Sequence, residues 1–168
     1  MLTFPTGLGT CGIRWSPAGV TGILLPRTNG LPGAALADAW DVPAPIRAAV
    51  GGITALLAGE PRDLREVVLD WDGIDAFRRR VLAAAREVGP GEVVTYGELG
   101  RRIGEPGGAR AVGAALGSNP WPIVVPCHRV LGAGGALTGF SAPGGVATKR
   151  RMLEIERAPG FEQQPLFA

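Results

Sequence analysis

The chain lacks the features that mark membrane, secreted and zinc-binding proteins. Its 168 residues include no run near the roughly 18 apolar residues of a membrane span. The start, Met1–Pro5, lacks the basic segment and apolar core of a signal peptide. Two cysteines form no disulfide framework, and with a single histidine they cannot supply four zinc ligands without acidic residues. We therefore expect a soluble, cytoplasmic, monomeric protein that contacts no membrane and holds no metal.

Charged residues are also few, and the basic and acidic ones are unevenly distributed between the two halves of the chain. They make up 19% of the chain, whereas hydrophobic residues make up 46% and suffice for a sizeable core. Residues 1–72 hold 5 Arg against 7 acidic residues, while residues 73–168 hold 12 basic against 8 acidic residues. The basic half has the modest electrostatic signature of a DNA-binding domain. We predict a structural α/β domain over 1–72, a DNA-binding domain over 73–168 and a short tail over 158–168.

The N-terminal domain has the pattern of a small sheet with one helix. The apolar runs Cys11–Trp15 and Val20–Leu25 flank a Pro/Gly turn and predict a hairpin. Helical spacing from Pro45 to a stop at Gly59 predicts an amphipathic helix, because proline is tolerated at a first helical position. Leu64–Trp71 reads as a further strand. The fold class is therefore α/β in this half.

The C-terminal domain reads as mostly helical. Apolar residues between Ile74 and Val88 follow a helical period, which Gly-Pro-Gly ends. Thr95 and Glu98 have the spacing of a capping box and begin a second helix. A third helix over Ala109–Leu116 follows a short Gly/Pro-rich turn. Helix, short turn and helix together predict a helix-turn-helix.

The outer face of this third helix carries almost no large side chains, and we call it the bare face. Small residues and one arginine occupy it: Arg110, Gly113, Ala114 and Gly117. The expected DNA-binding residues are Arg110, Ala111, Gly113 and Ala114. A transcription regulator reads base edges with Asn, Gln, Arg and Lys on such a face, so a sequence-reading regulator is disfavoured. A smooth face instead permits close approach to the minor groove, with Arg110 as a wedge.

The segment with the strongest chemical signal is Ile123–Val130. Its apolar run Ile123–Val125 predicts a buried strand that ends at Pro126, where Cys127 and the only histidine, His128, follow. A thiol attacks as thiolate, and a neighbouring imidazole can take its proton directly or through a water. The alternatives are a buried apolar cysteine and a hydrogen-bonded core histidine. Cys11 has no comparable neighbours and is read as a core residue.

A carboxylate that orients the histidine would complete such a relay. Helical spacing puts Glu156 on the same face as Lys149 and the core-facing Leu153. From spacing alone, Glu156 is equally a surface carboxylate or the partner of a core histidine.

The segment from Asn119 to Val130 resembles the active-site stretch of the O6-alkylguanine-DNA alkyltransferases, also called methylated-DNA–protein-cysteine methyltransferases. Their hallmark is Pro-Cys-His-Arg-Val after an Asn-Pro turn, and the resemblance covers about residues 74–157. It implies an RNase H-like N-terminal sheet domain, a helix-turn-helix and an active-site strand. It also implies that the protein flips O6-alkylguanine, or O4-alkylthymine, out of duplex DNA and transfers the alkyl group once to Cys127, without a cofactor. The alternative is a non-catalytic alkyltransferase-like lesion binder, which replaces the cysteine.

The resemblance further implies a role for each site residue. Cys127 would be the nucleophile, His128 its base and Glu156 the partner of the histidine. The implied substrate-binding residues are Tyr96 at the purine ring, Ser141 at the alkylated oxygen and the hinge residue Asn119. Arg110 would enter the base stack in place of the flipped nucleotide.

The tail ends in a short apolar motif. Gln163-x-x-Leu166-Phe167 resembles the peptide by which bacterial repair proteins bind the sliding clamp. The alternative is that Leu166 and Phe167 fold back onto the protein's own core.

Overall fold

The computed structural model describes residues 1–35 and 41–162. Its N-terminal part is a four-stranded sheet in the order β3-β2-β1-β4. The strands are β1 (Leu2–Thr6), β2 (Gly9–Ser16), β3 (Gly19–Leu24) and β4 (Ala34–Ala35). β1, β2 and β3 pair antiparallel, which confirms the predicted hairpin, and β4 runs parallel to β1. Because side chains alternate along a strand, Cys11 and Ile13 lie in the core while Arg14 is exposed on the opposite face.

Helix α1 (Ala44–Leu57) packs against β1. It buries the residues that the helical period selects: Ile46, Ala49, Val50, Ile53, Leu56 and Leu57. Gly59 follows with a φ of +93°, a left-handed conformation that glycine adopts without strain. The predicted helix and its end are confirmed.

The strand predicted over Leu64–Trp71 is wrong. The segment forms turns, and only Leu69 makes an isolated bridge, to Val20 at the edge of β3. The next part of that edge is already occupied, because the backbone N–H of Ile23 donates to the carbonyl of Pro120 at 2.9 Å. Leu64, Val67 and Leu69 are nevertheless buried, whereas Val68 is exposed.

The C-terminal part is mostly helical, with two short strands. Its elements are α2 (Ala76–Arg86), β5 (Val94–Thr95), α3 (Tyr96–Arg102), α4 (Ala109–Gly117), β6 (Val130–Leu131) and α5 (Gly145–Ile155). The capping box at the start of α3 is present, with Thr95 and Glu98 bonded to each other's backbone N–H. α3 and α4 pack against each other across residues 103–108. Their assignment to the helix-turn-helix class of DNA-binding motifs stays a prediction.

The strand predicted at Ile123–Val125 is also wrong. These residues are buried, as expected, but they form a tight turn closed by a bridge between Pro122 and Val125. Ile123 has a φ of +77°, which is unusual for a β-branched residue. A single 3-10 turn, Cys127–Arg129, follows, and the strand begins only at Val130.

The physical reason for this turn lies in Asn119. Its side-chain amide donates to the carbonyl of Val125 at 2.9 Å, and its side-chain oxygen accepts from the backbone N–H of Trp121 at 2.9 Å. These two bonds hold both ends of the loop together, so the apolar run cannot extend into a ladder.

The two halves share one hydrophobic core. Buried apolar residues from the sheet, α1, α2, α3, α4 and the 121–130 segment form a continuous cluster. The indole N–H of Trp121 also donates to the carbonyl of Val20 at 2.7 Å, deep between the halves. The mixed α+β class is confirmed, whereas the RNase H-like relationship and the boundary after residue 72 stay predictions. Among residues 1–35 and 41–162, no helix is long and apolar enough to cross a membrane.

Candidate active site

Cys127 opens onto a groove of about 1500 Å³ between the two halves. One wall comes from the N-terminal half, at the end of β3 and residues 27–30. The other wall comes from α4, the segment after it and the 138–143 loop. All three implied substrate-binding residues, Tyr96, Asn119 and Ser141, line the groove together with Cys127. The structure thus brings together residues that lie up to 45 positions apart in the chain.

The thiol of Cys127 is almost enclosed, with 9% of the residue exposed. Burial raises its pKa, while a hydrogen bond from Asn119 and the positive charge of Lys149 oppose that shift. The thiol is therefore protonated at rest and needs a base before it can attack.

The base candidate, His128, is paired on one side of its ring only. Its Nε2 lies 2.9 Å from Oε1 of Glu156, and both side chains are 1% exposed. Arg129 holds the other edge of that carboxylate, with Nε 2.8 Å from Oε2 and Nη2 2.8 Å from Oε1. Nη1 of Arg129 donates to the carbonyl of Val88 at 2.5 Å, which joins the site to the end of α2. Glu156 is therefore a buried partner, not the surface carboxylate that spacing left open.

These contacts determine the protonation of the pair. Burial alone raises the pKa of Glu156, but the charges and hydrogen bonds of His128 and Arg129 outweigh it and hold the pKa at about 2. An ionised carboxylate only accepts hydrogen bonds, so Nε2 of His128 must carry the proton. Burial also lowers the pKa of His128, which favours the neutral ring. In a neutral ring with a proton on Nε2, Nδ1 is an acceptor.

Nδ1 of His128 is buried and has no hydrogen-bond partner among the described residues. Buried polar atoms are seldom left unpaired, and exceptions often mark a catalytic group or a bound water. The arrangement leaves one basic atom beside the thiol-bearing residue, which is what proton removal from Cys127 requires.

Sequence reasoning assigned no role to Lys149, which the structure places at the centre of the site. It is the only lysine in the chain and is 0% exposed. Its Nζ donates to the carbonyls of Val130 at 2.6 Å and Thr138 at 3.1 Å and lies 3.5 Å from the hydroxyl of Tyr96. Burial lowers its pKa to about 8, against the opposing effect of Cys127. The available signal was helical spacing, which puts this lone lysine on the core face of α5.

The substrate residues differ in how free their polar groups are. Tyr96 is half-buried, and burial raises its pKa. Its ring packs against α4, where a Cβ on Gly113 would lie 3.7 Å from the ring, at ordinary van der Waals distance. Ser141 already donates its hydroxyl to the carbonyl of Gly117 at 2.7 Å, which leaves only its lone pairs for a ligand.

The bare face of α4 is present as expected. Arg110, Ala111 and Ala114 are exposed, and Gly113 is half-buried beside Tyr96. The guanidinium of Arg110 makes no hydrogen bond or ion pair with another residue within 1–35 or 41–162. Arg110, Ala111 and Ala114 lie outside the groove lining, so the structure does not gather them with the thiol.

Comparison with known proteins decides the family. Residues 76–158 match the model described as 6-O-methylguanine DNA methyltransferase, DNA binding domain. A Mycobacterium tuberculosis methylated-DNA–protein-cysteine methyltransferase is 47% identical over 125 residues, which cover 74% of this chain and 73% of that protein. The chain belongs to this methyltransferase family.

Solved structures of the family agree with the fold. The crystal structure of the Mycobacterium tuberculosis O6-methylguanine methyltransferase is 36% identical, with a TM-score of 0.75 over 95% of this chain and 94% of that one. A Mycobacterium tuberculosis OGT in complex with DNA is 36% identical, with a TM-score of 0.72 over 95% of each chain. The family resemblance inferred from Pro-Cys-His-Arg-Val is confirmed.

Proposed function

We propose that the protein repairs DNA directly, by moving the alkyl group of O6-alkylguanine to the sulfur of Cys127. The observation that carries this proposal is the one-sided pairing of His128, whose Nε2 is held by Glu156 at 2.9 Å while Nδ1 is unpaired. Membership of the methyltransferase family supplies the substrate class.

The reaction needs one base, one nucleophile and one leaving group. His128 Nδ1 takes the thiol proton, directly or through a water, and Glu156 stabilises the resulting imidazolium. The Cys127 sulfur attacks the alkyl carbon with its electron pair, the carbon–O6 bond breaks, and its electrons stay on guanine. Tyr96 donates a hydrogen bond to the purine as that charge develops. Guanine then takes up a proton from water, and the imidazolium of His128 releases its proton to water, so the thiol proton is in effect passed to guanine.

The product explains why each molecule acts once. A thioether has no internal leaving route, so the new carbon–sulfur bond stays intact. Turnover therefore ends with one alkylated cysteine and one normal guanine.

We further propose that α4 lies against duplex DNA. Its exposed face carries small residues, which permit close approach, and Arg110 extends from its first turn. Filling the gap left by a flipped nucleotide matches this solvent-exposed arginine better than reading bases does. A non-catalytic lesion binder is disfavoured, because the groove contains a thiol at Cys127.

The decisive test is intact mass after incubation with duplex DNA that contains O6-methylguanine. We expect one methylene-sized gain per molecule, on the peptide that contains Cys127. Cys11→Ser is the matched control, because it removes the other buried cysteine and should leave the gain unchanged. No mass gain, or a gain on Cys11, would contradict the proposal.

The clamp motif, Gln163–Phe167, lies outside the described residues. We propose that this tail binds a bacterial sliding clamp, on the resemblance of its sequence alone, with an affinity no better than roughly micromolar for so small an anchor. In a calorimetric titration, the full-length protein, which we expect to be monomeric, should bind the clamp. Deleting residues 163–168 should abolish this binding and leave alkyl transfer intact. Absence of clamp binding by the full chain would exclude this role.

The cytoplasmic location of the protein also stays a prediction.

A further inference from the structure

The charges that line the groove all come from the N-terminal half of the chain. Among the described residues that form its walls, the only ionisable side chains carrying a charge at neutral pH are Arg14 and Arg27, and no aspartate or glutamate is present. The wall formed by α4 and the 138–143 loop is neutral. A polyanion that enters this groove therefore meets positive charge on the sheet side only.

Arg14 is positioned for this by the sheet itself. It lies opposite Gly22 in the β2–β3 ladder, next to a register shift between Arg14 and Trp15. A Cβ on Gly22 would lie 3.3 Å from Nη2 of Arg14 and 3.6 Å from the carbonyl of Pro120. The glycine therefore makes room for the guanidinium to lie across β3 towards the segment that leads to Cys127.

Both arginines are free to bind a ligand. Arg14 and Arg27 are exposed, and neither guanidinium makes a hydrogen bond or ion pair with another described residue. Arg27 begins a turn in which the N–H of Gly30 donates to its carbonyl at 2.9 Å, so its backbone is held while its side chain is not. A guanidinium matches the geometry of a phosphate, to which it donates two parallel hydrogen bonds.

We infer that Arg14 and Arg27 bind backbone phosphates of the DNA strand whose nucleotide enters the groove. This inference rests on the proposed function. It gives the N-terminal half, which has more acidic than basic residues, a direct part in DNA binding. Within the groove, the strand is then held between an uncharged wall on the α4 side and a cationic wall on the sheet side.

The test is the salt dependence of duplex binding, measured by fluorescence anisotropy with labelled DNA. Each phosphate contact contributes about 0.9 to the slope of log K against log salt. Arg14→Ala and Arg27→Ala should each lower the slope by about 0.9. Arg14→Lys should retain most of it, because the charge remains. Arg62→Ala is the matched control, since it removes an exposed arginine of the same half outside the groove.

Reaction with free O6-benzylguanine separates phosphate binding from chemistry. A free base has no phosphates, so all four variants should react with it at the wild-type rate. The inference is wrong if the salt slopes of Arg14→Ala and Arg27→Ala equal the slope of Arg62→Ala. It is also wrong if these two variants lose reaction with the free base to the same extent as they lose duplex binding. If the wild-type protein transfers no alkyl group but the slopes still differ, the proposed function fails and the phosphate contacts stand.

Discussion

Cys127 lies between two regions whose charged side chains differ in burial and in hydrogen bonding. Behind it, Glu156 and Lys149 are 1% and 0% exposed and are bonded on several sides. In front of it, Arg14 lines the open groove and Arg110 extends from α4, both in solvent and without a bonded partner in the described parts of the chain. The charged groups behind the thiol are therefore fixed in position, and those in front of it are free to bind a ligand.

The difference separates chemistry from binding. A buried charge is costly to desolvate, so it persists only with hydrogen bonds that also determine its position and its protonation. A solvated arginine is held loosely, contributes modestly and is weakened by salt. We expect changes behind the thiol to alter the rate of alkyl transfer, and changes in front of it to alter the affinity for DNA.

The largest effect should come from the residue that joins the two regions. Cys127→Ser should abolish alkyl transfer while it leaves binding to lesion-containing duplex intact, because an alcohol without a lowered pKa is a poor nucleophile. Transfer is measured by the loss of methyl label from DNA, and binding by anisotropy. Residual transfer by this variant would show that another group is the nucleophile.

Glu156→Gln tests the buried side alone. The neutral amide no longer stabilises the imidazolium of His128, so single-turnover transfer should slow by about 10²-fold, a typical contribution of acid–base catalysis. DNA affinity should stay near the wild-type value. An unchanged transfer rate would remove Glu156 from the relay.

The same variant should change the acid stability of the protein. The folded-state pKa of Glu156 is about 2, below its ordinary value of 4.5, so the unfolded state binds more protons between these pH values. Its contribution of about 3 kcal/mol is present above pH 4.5 and is lost as the pH falls towards 2. Urea unfolding at pH 6 and pH 3 should show a smaller loss for Glu156→Gln than for the wild type. Equal losses would contradict the assigned pKa.

Arg110→Ala tests the solvated side alone. Repair in duplex DNA should fall by about tenfold or more, because the emptied stack costs a few kcal/mol when nothing fills it. Reaction with free O6-benzylguanine should not change. Arg101→Ala on α3 is a suitable control, because it removes another exposed arginine from the same half. Equal losses on both substrates would place Arg110 in the chemistry instead.

The smallest effect is expected for Lys149→Met, which removes the cation near the thiol and keeps the volume of the side chain. An opposite charge nearby lowers a pKa by one unit or more, so the rate–pH profile should move up by about one unit and transfer at pH 7 should fall by about tenfold. A profile that keeps its midpoint while the rate falls would make Lys149 a structural support only. Its contacts with Val130 and Thr138 make a thermal unfolding control necessary.

The sequence predicted local features well where one short segment contained the whole signal. The capping box of Thr95 and Glu98 is intact, and the buried faces of α1 and α4 follow the helical period. The run Ile123–Val125 was predicted to be buried, and it is. Its conformation was wrong because burial is common to strands and tight turns, and the bonds that close this turn come from the side chain of Asn119.

The sequence by itself determined the chemistry that is available: an adjacent thiol and imidazole, a helix with a bare face and one arginine, and a family motif. Only the tertiary structure decided which charges are buried. It pairs His128 and Arg129 with Glu156 from the end of α5 and encloses Lys149 among carbonyls. It also brings Arg14 of the sheet to the groove of Cys127. These partners are far apart in sequence, and burial, which arises from packing of the whole chain, gives their charges a fixed partner and protonation state.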